Sequence, residues 1–305
     1  MSVPIRYWIG DLTRTGVLKD SPFDTETLDP EFDLQMGKAK FTNGVFNDAK
    51  SDEQAMVLVD KNTRSVIVSF RGTEKGNFTD VGKSFAGLHP FKAKDPTCKD
   101  GKGKVHSEMA KSWNRLSKSV LPVIRSIFEF NYDEDNKYEK LYICGHSLGG
   151  ALATVFAKGV WEAVPALRKK IVGYTYGAYA IGDAAFQRDF NEKIPNFFRC
   201  VNDKDFVPHL MPSYFGFEHT GMLIHLTDSR CYVNHDNFTL KSDDWGAGDG
   251  IAERFTDHKC LSYASLLRMF DCLNKMTKAQ AAKCERGWLH FTEETSVQVR
   301  SEKLP

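Results

Sequence analysis

One pentapeptide of this chain has the residue types and spacing of a nucleophile on a sharp turn: Gly145-His146-Ser147-Leu148-Gly149. It follows a short apolar run, Leu141–Cys144, and precedes a segment of helical length, Leu148–Val164. A serine hydroxyl is a weak nucleophile unless it is exposed beside a base, and a strained strand-to-helix turn gives that exposure. The two glycines leave room for the backbone at such a turn. The pattern therefore predicts a nucleophilic serine at Ser147.

A serine that attacks a carbonyl group needs hydrogen-bond donors for the charge that develops on the carbonyl oxygen. The backbone N–H of Leu148, directly after the nucleophile, is one expected donor, and the positive end of the following helix dipole supports it. A second donor is expected where Phe70-Arg71-Gly72-Thr73 leaves a β-branched run. Thr73 offers both an N–H and a hydroxyl group. The tetrapeptide fits an ordinary glycine turn equally well, so its spacing leaves both interpretations open.

The elements that position these groups are indicated by five short apolar runs, each of strand length. The runs are Gln54–Val59, Ser65–Phe70, Leu141–Cys144, Ile171–Tyr176 and Phe197–Val201. The first two flank the turn cluster Asp60-Lys61-Asn62 and predict a hairpin. Helices are predicted from His106 through Val120, with another up to Phe130, and over Leu148–Val164. This alternation predicts one α/β domain over residues 1–305, with a mainly parallel sheet covered by helices on both faces.

Composition excludes several classes of partner. The 41 basic and 40 acidic residues give a net charge of +1, which provides no field to attract nucleic acid or an anionic membrane surface. No run reaches the roughly 18 apolar residues of a membrane helix. The N-terminus lacks the pattern of a signal peptide, so we expect a cytoplasmic protein, although a secreted mature form would give the same picture.

The sequence predicts neither a metal site nor a dense set of disulfides. Its 7 cysteines are widely spaced, without a Cys-x-x-Cys pair, and we expect mostly free thiols. A bridge between Cys272 and Cys284 remains open. The acidic loop around Asp243, Asp244 and Asp249 lacks the ordered spacing and terminal glutamate of a calcium-binding loop.

Several motifs occur together in one order and resemble the class 3, or fungal-type, triacylglycerol lipases, a family with the α/β-hydrolase fold. They span roughly residues 40 to 265. The matching segments are Ser69–Thr73, Gly145–Leu152, Tyr174–Gly177, Val201–Leu210, Asp257-His258 and Leu261–Tyr263. The resemblance implies a hydrolase without a cofactor, which cleaves acylglycerols through an acyl-enzyme. An esterase or phospholipase on the same scaffold, or a lipase-like binding or signalling protein, are the alternatives.

The resemblance also assigns roles to matching positions. Ser147 is implied as the nucleophile, Asp205 as the acid and His258 as the base of a catalytic triad, with Thr73 and Leu148 as the oxyanion-hole pair. The order Ser, Asp, His along the chain is that of α/β-hydrolases. One carboxylate and five histidines compete for the last two roles: Asp203, His209, His219, His225, His235 and His290.

A lid over the site is predicted between about residues 74 and 90. Phe78, Val81 and Phe85 occur at positions i, i+3 and i+7, on one face of a short helix. Gly76 and Gly87 flank this segment as hinges. Such a helix would shield an apolar groove in water and open at a lipid–water interface, whereas the alternative is a surface helix packed permanently on the core. The C-terminal extension, about residues 275–305, lies outside the resemblance.

Overall fold

The computed structural model describes residues 45–48, 53–60, 64–72, 92–94, 96–97, 103–129, 137–202, 205–210, 216–227, 231–233, 257–259, 262–263 and 266–267. Several predictions concern positions outside these residues. They are Thr73, the lid with Phe78, Val81 and Phe85, Asp203, His235, His290, the loop around Asp243, the Cys272–Cys284 pair and the C-terminal extension.

The described part of the chain contains ten strands, eight of which form one sheet. The strands are β1 (Val45–Asp48), β2 (Glu53–Asp60), β3 (Ser65–Phe70), β4 (Lys92–Lys94), β5 (Lys104–His106), β6 (Lys140–His146), β7 (Ile171–Tyr176), β8 (Phe197–Asn202), β9 (Met222–Leu226) and β10 (Cys231–Val233). The large sheet has the order β1-β2-β3-β6-β7-β8-β9-β10, and β3 to β9 within it run parallel. The predicted hairpin is the antiparallel pair β2–β3.

Three α-helices are described: α1 (Ser107–Glu129), α2 (Leu148–Ala163) and α3 (Ala184–Lys193). The prediction of two successive helices between residues 106 and 130 was wrong, because α1 continues through Pro122. A proline removes one helical hydrogen bond, but a buried stripe at helical spacing continues on both sides of it: Trp113, Leu116, Val120 and Ile124. None of the described helices combines the length and apolar character needed to cross a bilayer.

The sheet separates two apolar clusters. Side chains of α1, α2 and α3, among them Trp113, Phe156 and Phe190, pack in the cluster on one face. On the other face, Tyr174 and Tyr176 of β7 pack with Tyr263 and Leu267, which have helical backbone conformation. This arrangement confirms the predicted mainly parallel sheet with helical residues on both faces.

The register of the parallel strands brings four chain segments to one edge of the sheet. Phe70 of β3 pairs with Gly145 of β6, His146 pairs with Tyr176 of β7, and Tyr176 pairs with Cys200 of β8. Parallel strands all end at the same edge, which is where open α/β sheets bind ligands. The chain after each of these strands therefore contributes to one place.

A buried ion-pair network joins α2 to α3. Lys158 is completely buried, and its Nζ lies 2.7 Å from carboxylate oxygens of both Glu162 and Asp189. Lys193 bridges the same two carboxylates at 2.8 Å. Burial would raise the pKa of Glu162, but the hydrogen bonds and charges of the two lysines outweigh it and lower that pKa. The network therefore holds α3 against α2, the helix that follows Ser147.

We expect Lys158→Met to lower the free energy of unfolding more than Lys193→Met. Removing one member of a buried ion pair costs about 3–5 kcal/mol, because its partners are left uncompensated, and Lys193 is partly exposed. Urea unfolding of both variants measures the difference. Equal, small losses would show that the network contributes little.

Candidate active site

Ser147 occupies the turn between β6 and α2 in a backbone conformation that is rare for any residue with a side chain. Its φ is 56° and its ψ is −124°. The N–H of Ser147 donates to the carbonyl oxygen of Tyr176 at 2.9 Å, and its own carbonyl accepts the N–H of Gly150 at 3.0 Å. Strained conformations of this kind persist where the surrounding structure fixes them, and they are frequent at active sites.

The two glycines of the pentapeptide are required by close backbone contacts. A Cβ atom on Gly149 would lie 2.2 Å from the carbonyl oxygen of Phe70, and a Cβ atom on Gly145 would lie 2.1 Å from the carbonyl carbon of Gly149. Both distances are far below van der Waals contact. Glycine at these positions lets the start of α2 approach the ends of β3 and β6, which fixes the turn that carries Ser147.

The structure brings Ser147, His258 and Asp205 into one hydrogen-bonded chain. The Nε2 atom of His258 lies 2.9 Å from Oγ of Ser147. Its Nδ1 atom lies 3.0 Å and 2.9 Å from the two carboxylate oxygens of Asp205. A carboxylate accepts a hydrogen bond from Nδ1–H, which leaves Nε2 free to accept the serine proton. This is the geometry of a nucleophile, a base and an orienting acid.

The carboxylate of Asp205 is completely buried and receives two further hydrogen bonds. The N–H of Val207 donates to Oδ1 at 2.9 Å, and the hydroxyl of Tyr263 donates to Oδ2 at 2.6 Å. The Tyr263 oxygen in turn accepts the N–H of Asn202 at 2.9 Å. Burial and the nearby Asp205 raise the pKa of Tyr263 well above its usual range, so its hydroxyl remains a donor.

Tyr263 was part of a recognised motif but had no role in the sequence analysis. The signal that pointed to it was its place just after His258 in the Leu-Ser-Tyr segment. Only the folded chain shows why a tyrosine stands there, since its hydroxyl reaches Asp205 across 58 positions of sequence.

The structure explains why the Tyr174–Gly177 motif ends in a glycine. Gly177 has a φ of 60°, and a Cβ atom there would lie 2.5 Å from Oδ2 of Asp205 and 3.0 Å from Nδ1 of His258. A larger residue would therefore push apart the acid and the base. The end of β7 thus leaves the space that the carboxylate and imidazole occupy.

Three of the histidines that competed with His258 for the role of the base lie in the described part of the chain: His209, His219 and His225. His219 donates its Nε2–H to the carbonyl of Pro208 at 2.8 Å, and burial lowers its pKa well below the usual value. Burial also lowers the pKa of His209 to about 4, which keeps this ring neutral at pH 7. His225 lies on β9, and both of its ring nitrogens are buried. His258 is the histidine that contacts Ser147 here.

One expected oxyanion donor, the N–H of Leu148, lies at the same turn. Leu148 is the first residue of α2, and N–H groups in the first turn of a helix have no partner within that helix. At the end of β3, a Cβ atom on Gly72 would lie 2.7 Å from the carbonyl oxygen of His146. The chain that leads into Thr73 therefore passes directly against the turn that carries Ser147.

Comparison with known proteins agrees with the motifs. The sequence pattern of the family Lipase (class 3) matches residues 67–215. A lipase from Rhizopus niveus is 27% identical over 180 residues, which are 58% of this chain and 42% of that protein. A secreted mono- and diacylglycerol lipase from Fusarium solani is 29% identical over 119 residues, 38% of this chain and 32% of that one. Its secretion gives no support to the cytoplasmic placement expected from the sequence.

The fold has counterparts among solved structures. The crystal structure of a lipase from Rhizopus microsporus var. chinensis superposes with a TM-score of 0.58 at 24% identity, covering 73% of each chain. This likeness concerns the fold. The chain spans less than half the length of the Rhizopus niveus lipase that it matches. The motifs, the family match over residues 67–215 and the similarity to fungal lipases together support a member of the class 3 lipase family.

Proposed function

We propose that this protein is a serine carboxylic-ester hydrolase, and most specifically a lipase that cleaves acylglycerols. The observation that carries the proposal is the chain of hydrogen bonds from Ser147 through His258 to Asp205, at 2.9 to 3.0 Å. It lies at the carboxyl ends of the parallel strands, on a strained turn. A hydroxyl, a neutral imidazole and an ionised carboxylate in this order are the parts needed for acyl transfer.

In the proposed reaction, Oγ of Ser147 attacks the ester carbonyl while Nε2 of His258 takes the serine proton. The tetrahedral intermediate collapses, the C–O bond of the alcohol breaks, and His258 returns the proton to the departing alcohol. Water then attacks the acyl-enzyme, again giving its proton to His258, and the fatty acid leaves as Ser147 recovers its hydrogen. Asp205 stabilises the imidazolium that forms twice in the cycle. The proposed reaction requires no cofactor.

The oxyanion of each intermediate is proposed to bind two donors. One is the N–H of Leu148, at the positive end of the α2 dipole. The other is Thr73, which follows Gly72 at the end of β3. The close approach of Gly72 to His146 supports this assignment, because it brings the chain before Thr73 to the turn that carries Ser147. Fixed donors of this kind contribute about 10²–10³ in rate.

Acylglycerols are proposed as the substrates because the relatives are described as a lipase and a mono- and diacylglycerol lipase. The amphipathic pattern of Phe78, Val81 and Phe85 supports a lid that opens at a lipid–water interface. When the lid opens, its apolar side chains lose their burial against the protein. At a lipid–water interface the lipid buries them instead.

We expect Ser147→Ala to abolish ester hydrolysis, with a loss of several orders of magnitude in kcat, because no other group on the turn can form the acyl-enzyme. Hydrolysis of p-nitrophenyl esters from two to sixteen carbons measures the activity. A fluorophosphonate probe should label the wild type at Ser147 and leave the variant unlabelled. Undiminished hydrolysis by a folded Ser147→Ala variant would overturn the proposed function.

We expect Tyr263→Phe to lower kcat about tenfold while KM changes little. The buried Asp205 carboxylate would lose one of its donors, and a hydrogen bond to a charged group is worth about 1.5–3 kcal/mol. Asp205→Asn is the reference for losing the acid, with a loss of about 10⁴. If Tyr263→Phe keeps the wild-type kcat, the tyrosine serves packing only.

We expect the rate on a short triglyceride to rise sharply once its concentration passes the solubility limit and droplets form. The double variant Phe78→Ser, Phe85→Ser should reduce that rise, because its lid has less apolar surface to transfer to the lipid. Hydrolysis of a soluble ester serves as the control and should change little. A smooth saturation curve through the solubility limit would favour an esterase with a fixed surface helix.

A further inference from the structure

His146, the residue before the nucleophile, contacts His258 in two ways. Its Nε2 lies 2.6 Å from the backbone carbonyl oxygen of His258. A carbonyl only accepts, so this nitrogen donates its proton. The two imidazole rings also lie against each other, with centroids 4.7 Å apart and planes tilted by 33°. His146 is 5% exposed, and its ring meets the edge of Tyr263 at 5.9 Å.

A second hydrogen bond fixes the same short segment, Asp257-His258. The side-chain amide of Asn202, at the end of β8, donates to the carbonyl of Asp257 at 2.8 Å. Two consecutive carbonyls, those of Asp257 and His258, are thus held by side chains at the ends of two parallel strands. His258 reaches the sheet edge from a distant part of the chain, 111 positions after Ser147, so these bonds fix its backbone relative to the nucleophile.

The position of the His258 ring matters because it must serve two partners at once. Its Nε2 has to meet Ser147 and its Nδ1 has to meet Asp205, both at about 2.9 Å. A displacement of about 1 Å in a catalytic group costs roughly 10² in rate. The hydrogen bond from His146 anchors the backbone of His258, and the adjacent, tilted ring of His146 limits rotation of the His258 side chain on one side.

We propose that His146 is a positioning residue for His258, which holds the base in register with both Ser147 and Asp205. This inference rests on the proposed function for its consequence in catalysis, but its structural content is independent of the substrate. His146, the second residue of the pentapeptide, thus positions the base in addition to forming part of the turn.

The role also constrains the charge of His146. When His258 takes the serine proton it becomes an imidazolium, and a like charge on a ring 4.7 Å away would oppose this step. A neutral His146 with its proton on Nε2 still donates to the His258 carbonyl. The same tautomer therefore satisfies both the hydrogen bond and the electrostatic requirement.

Three variants of His146 separate the hydrogen bond from the ring. His146→Gln keeps an amide donor that reaches about as far as Nε2, and His146→Asn has the same amide one carbon shorter. His146→Phe keeps a flat ring without a donor. The matched control is His106→Phe, since His106 is also buried, its ring lies 6.1 Å from the Phe217 ring, and its Nδ1 accepts a hydrogen bond from the backbone N–H of Glu108.

Two measurements read the position of the base. The first is the proton NMR signal of Nδ1–H in the His258–Asp205 hydrogen bond, which appears far downfield in a well-formed pair and requires no substrate. The second is the rate at which a fluorophosphonate probe labels Ser147, together with kcat and KM for a p-nitrophenyl ester. A general loss of stability in a folded variant would not by itself broaden the downfield signal.

We expect His146→Phe and His146→Asn to broaden or lose the downfield signal and to label about 10–100-fold more slowly, with the loss in kcat rather than KM. His146→Gln should keep the signal and most of the labelling rate, and His106→Phe should resemble the wild type.

If His146→Phe fails to fold, the difference between His146→Asn and His146→Gln tests the hydrogen bond. Wild-type signal and labelling in both His146→Asn and His146→Phe would overturn the inference. A wild type that gives the downfield signal but hydrolyses no ester would overturn the proposed function alone.

Discussion

The buried carboxylate of Asp205 is the group on which the site depends, because an ionised group without solvent must be compensated by the protein. Two of its donors, the imidazole of His258 and the hydroxyl of Tyr263, come from distant places in the chain, and a third, the N–H of Val207, lies two residues away. The Tyr263 oxygen also accepts the N–H of Asn202, at the end of β8. Satisfying one charge therefore fixes the relative positions of β8 and of the segments that carry the base and the tyrosine.

Close backbone packing places the nucleophile opposite this charge. The start of α2 can approach β3 because Gly149 lacks a Cβ atom, and the end of β7 leaves space for Asp205 and His258 because Gly177 does. The strained conformation of Ser147 is thus held by contacts on several sides. Such a turn directs the hydroxyl of the buried Ser147 toward the base while its backbone remains hydrogen-bonded to β7.

The helices behind the sheet hold α2, and therefore the nucleophile, in place. Apolar side chains of α1 and α2 interlock, as in the edge-to-face contact of Trp113 with Phe156. Lys158 and its two carboxylates connect α2 to α3 within this layer.

The sequence by itself predicted five of the ten described strands, the helix after Ser147 and the candidate residues. The strand Ile171–Tyr176 was predicted with its bounds, since apolar runs of this length are typical of buried strands. Motifs with a defined order led to Ser147, Asp205 and His258. Tertiary structure decided the rest, because it depends on contacts between distant positions. Packing carried α1 through Pro122, where local rules predicted a break. The contacts that His146, Gly177 and Tyr263 make around the base and the acid exist only once the strand ends meet at one edge of the sheet.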